Sequence, residues 1–183
     1  MVNISALQDS YSRIKNFINK TPILISDKLN HDFNASFYLK NEVEQVTGSF
    51  KIRGALSALS KLKENNVKGV VAYSSGNHAQ GVSKAAQIFD MDAIIVMPED
   101  APQNKIDKTI ANGAEVVLYK RHVESREEIA IKIAYEKQYP LVKPFDNEDI
   151  IVGQGSFGLE ACEYFIQNNI SPNIVLSCTS GGG

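Results

Sequence analysis

The sequence predicts an α/β protein in which parallel or mixed sheets are wrapped by helices. Between residues 69 and 146, short apolar runs alternate with segments of helical periodicity, which is the pattern of β-α-β units. The apolar runs are continuous rather than alternating, as expected for parallel strands that are buried on both faces. We therefore predict a small βαβ domain over residues 69–146, inserted in a larger and incomplete α/β domain formed by residues 1–68 and 147–183.

Each element of this pattern has its own sequence signal. Ile52, Ala55 and Leu59 recur at helical spacing, and breakers such as Pro98 and Gly113 mark where elements end. Strands are predicted over residues 37–40, 70–73, 93–97, 115–118 and 173–176. Helices are predicted around residues 52–62, 78–89, 102–112, 124–138 and 159–167.

Composition narrows the functional class. The 183 residues carry a net charge of −2 with no block of like charges, which argues against a nucleic-acid or acidic-membrane partner. The sequence has no signal-peptide core and no apolar run near the length of a membrane span, so we expect a soluble, cytoplasmic protein. The two cysteines, Cys162 and Cys178, are too few for a disulfide framework or a zinc site and are expected to be buried.

Three glycines match the spacing of a dinucleotide-binding fingerprint. Gly153, Gly155 and Gly158 fit G-x-G-x-x-G ahead of the helix predicted at 159–167. The apolar run before the first glycine is too short for a buried strand, and no acidic residue follows Glu163 to bind a ribose. We therefore interpret these glycines as a tight loop in which the helix and the neighbouring backbone approach closely.

Lys51 is the strongest candidate for a reactive side chain. It lies in the run TGSFKIRGA, residues 47–55, at the start of a predicted helix. A lysine amine attacks an aldehyde only when it is neutral, and the positive end of the helix dipole together with an apolar wall from Phe50 favours the neutral form. Taken alone, such a lysine is more typical of a solvated first helical turn, so the assignment depends on two further clusters.

The first of these clusters is SSGNH, residues 74–78, which follows a predicted parallel strand and opens a helix. Parallel α/β sheets place ligand sites at this edge, and free N–H groups at a helix start bind anions such as a carboxylate. Asn77 is able to hydrogen-bond a phenolic oxygen, and Ser75 offers a hydroxyl for proton transfer. The alternative is an ordinary helix cap with a left-handed glycine, and His78 is equally suited to packing or to substrate contact.

The second cluster is the run Ser180–Gly183 after the last predicted strand. Consecutive glycines permit a nest of backbone N–H groups around a phosphate. The alternative interpretation is a flexible tail.

Together these segments resemble the fold type II pyridoxal-phosphate enzymes, and within them the threonine/serine dehydratase and serine racemase group. The matching segments, in the same order along nearly the whole chain, are SFKIRGA at 49–55, SGNHAQG at 75–81, Met97–Pro98 and Ala101–Pro102 with Lys105, GQGSFGLE at 153–160, and the final glycines. Ser180 departs from the pattern, because many relatives have a fourth glycine there.

The resemblance implies a role for each motif residue. Lys51 would bind the cofactor pyridoxal 5′-phosphate covalently and remove the substrate α-proton, and Ser75 would be the catalytic acid/base on the opposite face. The implied cofactor-binding residues are Phe50, Lys51, Asn77, Ser180, Gly181, Gly182 and Gly183. The implied substrate-binding residues are Ser74, Ser75, Gly76 and His78. Arg126 stands where relatives reach the substrate, but we interpret it as a solvated helix residue.

The implied activity is that of an ammonia-lyase, a dehydratase that converts threonine, serine or a related β-hydroxy amino acid into a 2-oxo acid and ammonia. The alternatives are a serine-racemase-like activity and a truncated, non-catalytic fragment. Members of the family are longer, so we expect this chain to be the N-terminal part of such an enzyme and inactive by itself. The resemblance also implies a homo-oligomer, dimer or tetramer, for the full-length protein. No metal site is predicted within the chain, since the ligands of a divalent cation would lie beyond it.

Overall fold

The computed structural model describes residues 2–178, so the predicted phosphate cradle at 180–183 lies outside the described residues. The helices are α1 (Ile4–Ile14), α2 (Asp27–Phe33), α3 (Lys51–Glu64), α4 (Asn77–Phe89), α5 (Gln103–Ala111), α6 (Arg126–Lys137) and α7 (Glu148–Gln167). The strands are β1 (Ile23–Ile25), β2 (Tyr38–Lys40), β3 (Gly69–Tyr73), β4 (Asp92–Pro98) and β5 (Glu115–Tyr119). A short 3₁₀ turn follows β2 at Glu42–Glu44.

The main sheet is parallel and has the order β3, β4, β5. After α6 the chain returns to the free side of β3, where Leu141 forms a parallel bridge with Val71. The Val71 N–H donates to Pro140 O at 3.0 Å, and the Val142 N–H donates to Val71 O at 2.8 Å. The chain therefore winds away from β3 in one direction and then crosses to its other side, and α/β sheets bind ligands at the carboxyl ends of the strands where the chain reverses in this way.

Both faces of this sheet are covered. Val70 and Ala72 of β3 belong to a buried cluster with residues of α3, α4 and α5, whereas Val71 and Tyr73 belong to a second cluster with α6. All five residues of β3 are buried, which explains the continuous apolar run in the sequence. The predicted fold class is confirmed, while the division into two domains, 69–146 and the remainder, stays a prediction.

The loop predicted around the three glycines is wrong. Gly153, Gly155 and Gly158 lie inside α7, which begins well before them with Asn147 as its cap. The Asn147 Oδ1 accepts a hydrogen bond from the Ile150 N–H at 3.0 Å. The close approach expected at these glycines is present, but it joins two helices, α7 and α3. Because glycine has no side chain, it permits this approach while it keeps helical backbone geometry.

We expect Gly153→Ala to destabilise the protein by about 1–3 kcal/mol. The added methyl would lie 2.5 Å from Ser57 Cβ, 2.6 Å from Arg53 O and 2.8 Å from Gly54 Cα. Gly158 is the matched control, because no atom lies within 4 Å of a methyl added there; Gly158→Ala should stabilise α7 by roughly 0.5–1 kcal/mol. Urea unfolding of both variants measures the difference. Equal destabilisation by the two substitutions would contradict the close crossing.

Arg53 is fully buried two residues after Lys51 and connects α3 to its neighbours. Its guanidinium donates to both Glu42 carboxylate oxygens, at 2.8 and 2.9 Å, and to both Glu160 oxygens, at 2.8 and 2.9 Å. Lys40 Nζ donates to Glu160 at 2.5 Å. These contacts tie the first turn of α3 to α7 and to the turn after β2, so the backbone that carries Lys51 is held from two sides.

The ends of the described chain differ from the prediction. No strand is assigned at 173–176, because none of the residues from 2 to 178 pairs with this segment, and its apolar side chains are exposed. At the other end, α1, α2 and β1 were not predicted from the sequence; β1 pairs antiparallel with β2. The expected burial of Cys162 and Cys178 is also wrong, since both thiols are exposed.

Within residues 2–178, no helix combines the length and the apolar character that a membrane crossing requires.

Candidate active site

Lys51 is the first residue of α3, and its amine contacts the segment that follows the return of the chain to β3. Lys51 Nζ donates to Pro144 O at 2.9 Å, and Pro144 follows the segment that bridges to β3. The side chain is half-buried, and burial lowers the pKa of the amine. A larger share of this lysine is therefore neutral at physiological pH than of a solvated one, which is the state that attacks an aldehyde.

Two neighbours fix the surroundings of Lys51. The Phe50 ring centroid lies 5.1 Å from Lys51 Nζ and packs edge-to-face on Phe157 at 6.1 Å, so it forms an apolar wall. On the other side, a methyl added at Gly81 of α4 would lie 3.1 Å from the Lys51 carbonyl carbon and oxygen. The backbone of Lys51 is thus in direct contact with α4.

The segment 74–77 follows β3 and begins α4 at the same edge of the sheet. Ser74, Ser75 and Gly76 are half-buried, and Asn77 is exposed. Gly76 has φ −160° and ψ −122°, so a left-handed glycine at this turn is excluded. Among the described residues no side chain caps α4. The nearby Ser74 Oγ accepts from the Gly76 N–H, at 3.2 Å, which precedes the first turn of the helix. The first-turn N–H groups of α4 are consequently available to an anion.

Asn77 faces the same side of α4 as Gly81, because residues four apart lie on one helical face. Since Gly81 touches the Lys51 backbone, Asn77 lies on the side of α4 that faces Lys51. Asn77 Oδ1 accepts a hydrogen bond from Lys105 Nζ at 3.0 Å.

His78 is 2% exposed and joins α4 to the returning segment. Its Nε2 lies 3.1 Å from Val142 O, and because a carbonyl only accepts, this nitrogen carries the hydrogen. Burial lowers the pKa of His78 to about 4, so the ring is neutral near pH 7. Its buried Nδ1 has no hydrogen-bond partner within residues 2–178. The burial of His78 and its hydrogen bond to Val142 O explain a packing role, whereas a contact between His78 and the substrate stays a prediction.

Two residues with hydroxyl side chains precede Lys51, and no role for them was predicted from the sequence. The hydroxyl oxygens of Thr47 and Ser49 are buried and have no hydrogen-bond partner in the described part of the chain. Between them, Gly48 adopts a left-handed conformation with φ +72°. Buried polar atoms without partners are uncommon, and a bound ligand would satisfy them. The sequence signal that could have identified Ser49 and Thr47 is their position, two and four residues before Lys51.

Arg126 is stacked rather than freely solvated. Its guanidinium carbon lies 5.2 Å from the centroid of the Tyr73 ring, and Tyr73 directly precedes Ser74. Arg126 therefore stands at the same edge of the sheet as the segment 74–77.

Among the described residues, no group of three or more histidine, cysteine, aspartate or glutamate side chains has the arrangement of a metal site.

These features define a class: an α/β protein with a partly desolvated lysine amine at the carboxyl edge of a parallel sheet, suited to reaction with an aldehyde. The donor set fits pyridoxal phosphate, since Lys51 supplies a partly buried amine and Phe50 an aromatic wall 5.1 Å from it, and the preceding residues Thr47 and Ser49 carry buried hydroxyls without partners in the described part of the chain. Residues 14–183 match the family described as pyridoxal-phosphate dependent enzymes. The chain belongs to this family, and the cofactor predicted from the sequence is confirmed as that of the family.

The chain is similar to characterised members of the same group. It is 46% identical over 156 residues to L-threo-3-hydroxyaspartate ammonia-lyase of Saccharomyces cerevisiae, covering 85% of this chain and 48% of that protein. It is 40% identical over 173 residues to serine racemase of Schizosaccharomyces pombe, covering 93% of this chain and 52% of that protein. The chain thus spans about half the length of these relatives.

Solved structures show the same relationship. A threonine deaminase from T.th. superposes with a TM-score of 0.85 at 42% identity, over 93% of this chain and 54% of that one. Serine racemase from Dictyostelium discoideum gives a TM-score of 0.83 at 37% identity, over 89% of this chain and 53% of that one. The predicted resemblance to the threonine/serine dehydratase and serine racemase group is confirmed.

Proposed function

We propose that this chain forms the lysine-bearing half of a pyridoxal-phosphate-dependent ammonia-lyase acting on a β-hydroxy amino acid, with threonine, serine and threo-3-hydroxyaspartate as candidate substrates. The observation that carries the proposal is the half-buried Lys51 amine at the carboxyl edge of the sheet, held by Pro144 O at 2.9 Å, where burial lowers its pKa. Relatives named as ammonia-lyases for threonine and hydroxyaspartate, at 42% and 46% identity, support the choice of reaction.

Different residues around Lys51 would bind the cofactor and the substrate. Lys51 Nζ would hold the aldehyde carbon, Phe50 would border the ring, and Asn77 would donate to the phenolic oxygen. When bound, the cofactor supplies an electron-withdrawing ring that stabilises negative charge at the substrate α-carbon. The hydroxyls of Ser74 and Ser75 and the first-turn N–H groups of α4 would bind the substrate carboxylate. Lys51 Nζ, once free, is the base that would accept the α-proton.

Racemisation is the second candidate, because relatives at 36–40% identity are named serine racemases. It requires a proton donor on the face opposite Lys51, and the half-buried Ser75 hydroxyl is the group we assign to that role. The two reactions share the base and differ in the fate of the β-hydroxyl.

The proposal is tested by supplying pyridoxal phosphate and then L-serine, L-threonine or L-threo-3-hydroxyaspartate. We expect a visible cofactor absorption band with this chain, and 2-oxo acid and ammonia from at least one substrate with the full-length protein, since the chain spans about half the length of its relatives and is expected to be inactive alone; chiral chromatography for D-serine detects racemisation. A cofactor band without product would assign the chain a binding role that needs the rest of the protein. Failure to form the band at saturating cofactor would overturn the proposal.

Four further expectations remain proposals. They are the phosphate cradle at Ser180–Gly183, the division into the domains 69–146 and 1–68 with 147–183, assembly of the full-length protein into a homo-oligomer, and a cytoplasmic location. Each follows from the family resemblance or the composition described above.

A further inference from the structure

Lys105 forms a bridge between two amide side chains of α4. Its Nζ donates to Asn77 Oδ1 at 3.0 Å and to Gln80 Oε1 at 3.2 Å. Gln80 is 3% exposed, so its carbonyl holds the ammonium at a buried anchor point. Lys105 itself is half-buried. The proposed function gives no role to this contact.

The chemistry of the contact fixes the orientation of both amides. A lysine ammonium has three N–H donors and no acceptor, so only a carbonyl oxygen can face it. If the Asn77 amide rotated by half a turn, its NH₂ group would face the Lys105 ammonium. The hydrogen bond from the ammonium to Oδ1 would then be replaced by repulsion between two N–H donors. The Asn77 Nδ2 hydrogens are therefore turned away from Lys105.

Helix stability does not explain the position of Lys105. It is the third residue of α5, and a cation in the first turn is disfavoured by the helix dipole. The ammonium instead gains two carbonyl partners on α4, one exposed and one buried. The interaction thus serves the start of α4 rather than α5. Asn77, as shown above, lies on the side of α4 that touches the Lys51 backbone.

We propose that Lys105 is a positioning residue that orients the Asn77 amide, so that Nδ2 donates to an oxygen anion bound beside Lys51. The positive charge on Lys105 also polarises the amide and strengthens Nδ2 as a donor. The inference rests on the proposed function in one respect, that the anion is the phenolic oxygen of the cofactor.

The first measurement requires no cofactor. We expect Lys105→Met to shift the NMR signals of the Asn77 side-chain amide, because the amide loses its charged partner and rotates freely. Lys108→Met is the matched control, since Lys108 is an exposed lysine one turn further along α5. Unchanged Asn77 amide signals in Lys105→Met would overturn the proposal whether or not the protein binds cofactor.

The second measurement is the dissociation constant of pyridoxal phosphate, followed by its absorption. Lys105→Met should weaken binding by about tenfold, the effect of losing one charge-assisted hydrogen bond. Lys105→Arg, which retains charge and donors, should restore most of the affinity. In an Asn77→Ala background, Lys105→Met should change the affinity by less than about twofold, because the residue acts through Asn77.

The outcomes separate the two ideas. Additive losses in the double variant would show that Lys105 acts independently of Asn77 and would overturn the positioning role. If wild-type protein binds no cofactor, the proposed function fails, and the NMR comparison alone decides whether Lys105 holds Asn77.

Discussion

Replacing Lys51 with alanine will abolish the specific covalent attachment of pyridoxal phosphate to this protein. An ordinary solvated lysine is only about 0.1% neutral at pH 7.4, whereas burial lowers the pKa of Lys51 and raises its neutral share. Its Nζ also lies beside an apolar ring, 5.1 Å from the Phe50 centroid. We therefore expect Lys51 to be labelled in preference to the exposed lysines, and the variant to lose the visible absorption band completely.

The measurement is borohydride reduction of the protein–cofactor mixture, proteolysis and mass spectrometry of the peptide containing residue 51. Lys63→Ala is the control: Lys63 is an exposed residue of the same helix, and its Nζ donates only to Asp90 O, at 3.2 Å, among the described contacts. This variant should keep the absorption band and the label on Lys51. A single dominant reducible attachment in Lys51→Ala would assign the nucleophile to another lysine.

Replacing Arg53 with methionine is expected to lower the free energy of unfolding by about 3–5 kcal/mol. The substitution leaves the buried carboxylate of Glu160 and the partly buried carboxylate of Glu42 without the guanidinium that satisfies four of their hydrogen bonds. Burial alone would raise the pKa of Glu160, but hydrogen bonds from Arg53 and Lys40 hold it below its usual value, so the carboxylate is ionised. Glu160 would keep Lys40 as a partner, but the pair of carboxylates would carry more negative charge than this one cation balances, and that excess is the source of the expected loss.

Urea unfolding followed by circular dichroism measures this loss. Arg121→Met is the matched control, since Arg121 forms a bidentate pair with Asp100 at the surface, where both side chains are exposed; it should cost less than about 1 kcal/mol. Arg53→Lys keeps the charge without the planar fork and should fall between the two. Equal effects of Arg53→Met and Arg121→Met would show that the buried cluster adds nothing beyond a surface pair.

The alternating part of the fold was predictable because its signals are local. Buried strands such as β3 read as continuous apolar runs, and breakers such as Gly113 end helices where they stand in the sequence. The beginning of α7 was not predictable in this way, because glycines at 153, 155 and 158 signal a turn until the neighbouring helix is known. The strand predicted at 173–176 failed for a related reason, since a strand forms only against a partner.

Candidate site residues that stand in recognisable motifs could be predicted from the sequence. Residues whose role depends on tertiary contacts could not. Lys51, Phe50 and Asn77 stand in recognisable runs; the Phe50 ring lies 5.1 Å from Lys51 Nζ, and Asn77 precedes by four residues the glycine that touches the Lys51 backbone, while their roles toward cofactor stay a prediction. Arg53 reads as an exposed helical arginine, because arginines are rarely buried and its carboxylate partners are distant in sequence. Lys105 was part of a matching segment, but its contact with Asn77 joins residues 28 apart, on different helices.

The return of the chain to β3 also determines when the site forms during folding. The Lys51–Pro144 and His78–Val142 contacts join residues 93 and 64 apart, respectively. Closing such long loops costs conformational entropy and slows folding, whereas the β3-α4-β4 and β4-α5-β5 units close over short distances. We therefore expect the site to be assembled late, after most of the sheet. Until the segment at 140–144 docks, Lys51 lacks its contact with Pro144, so we expect its enhanced reactivity toward aldehydes to be acquired late in folding.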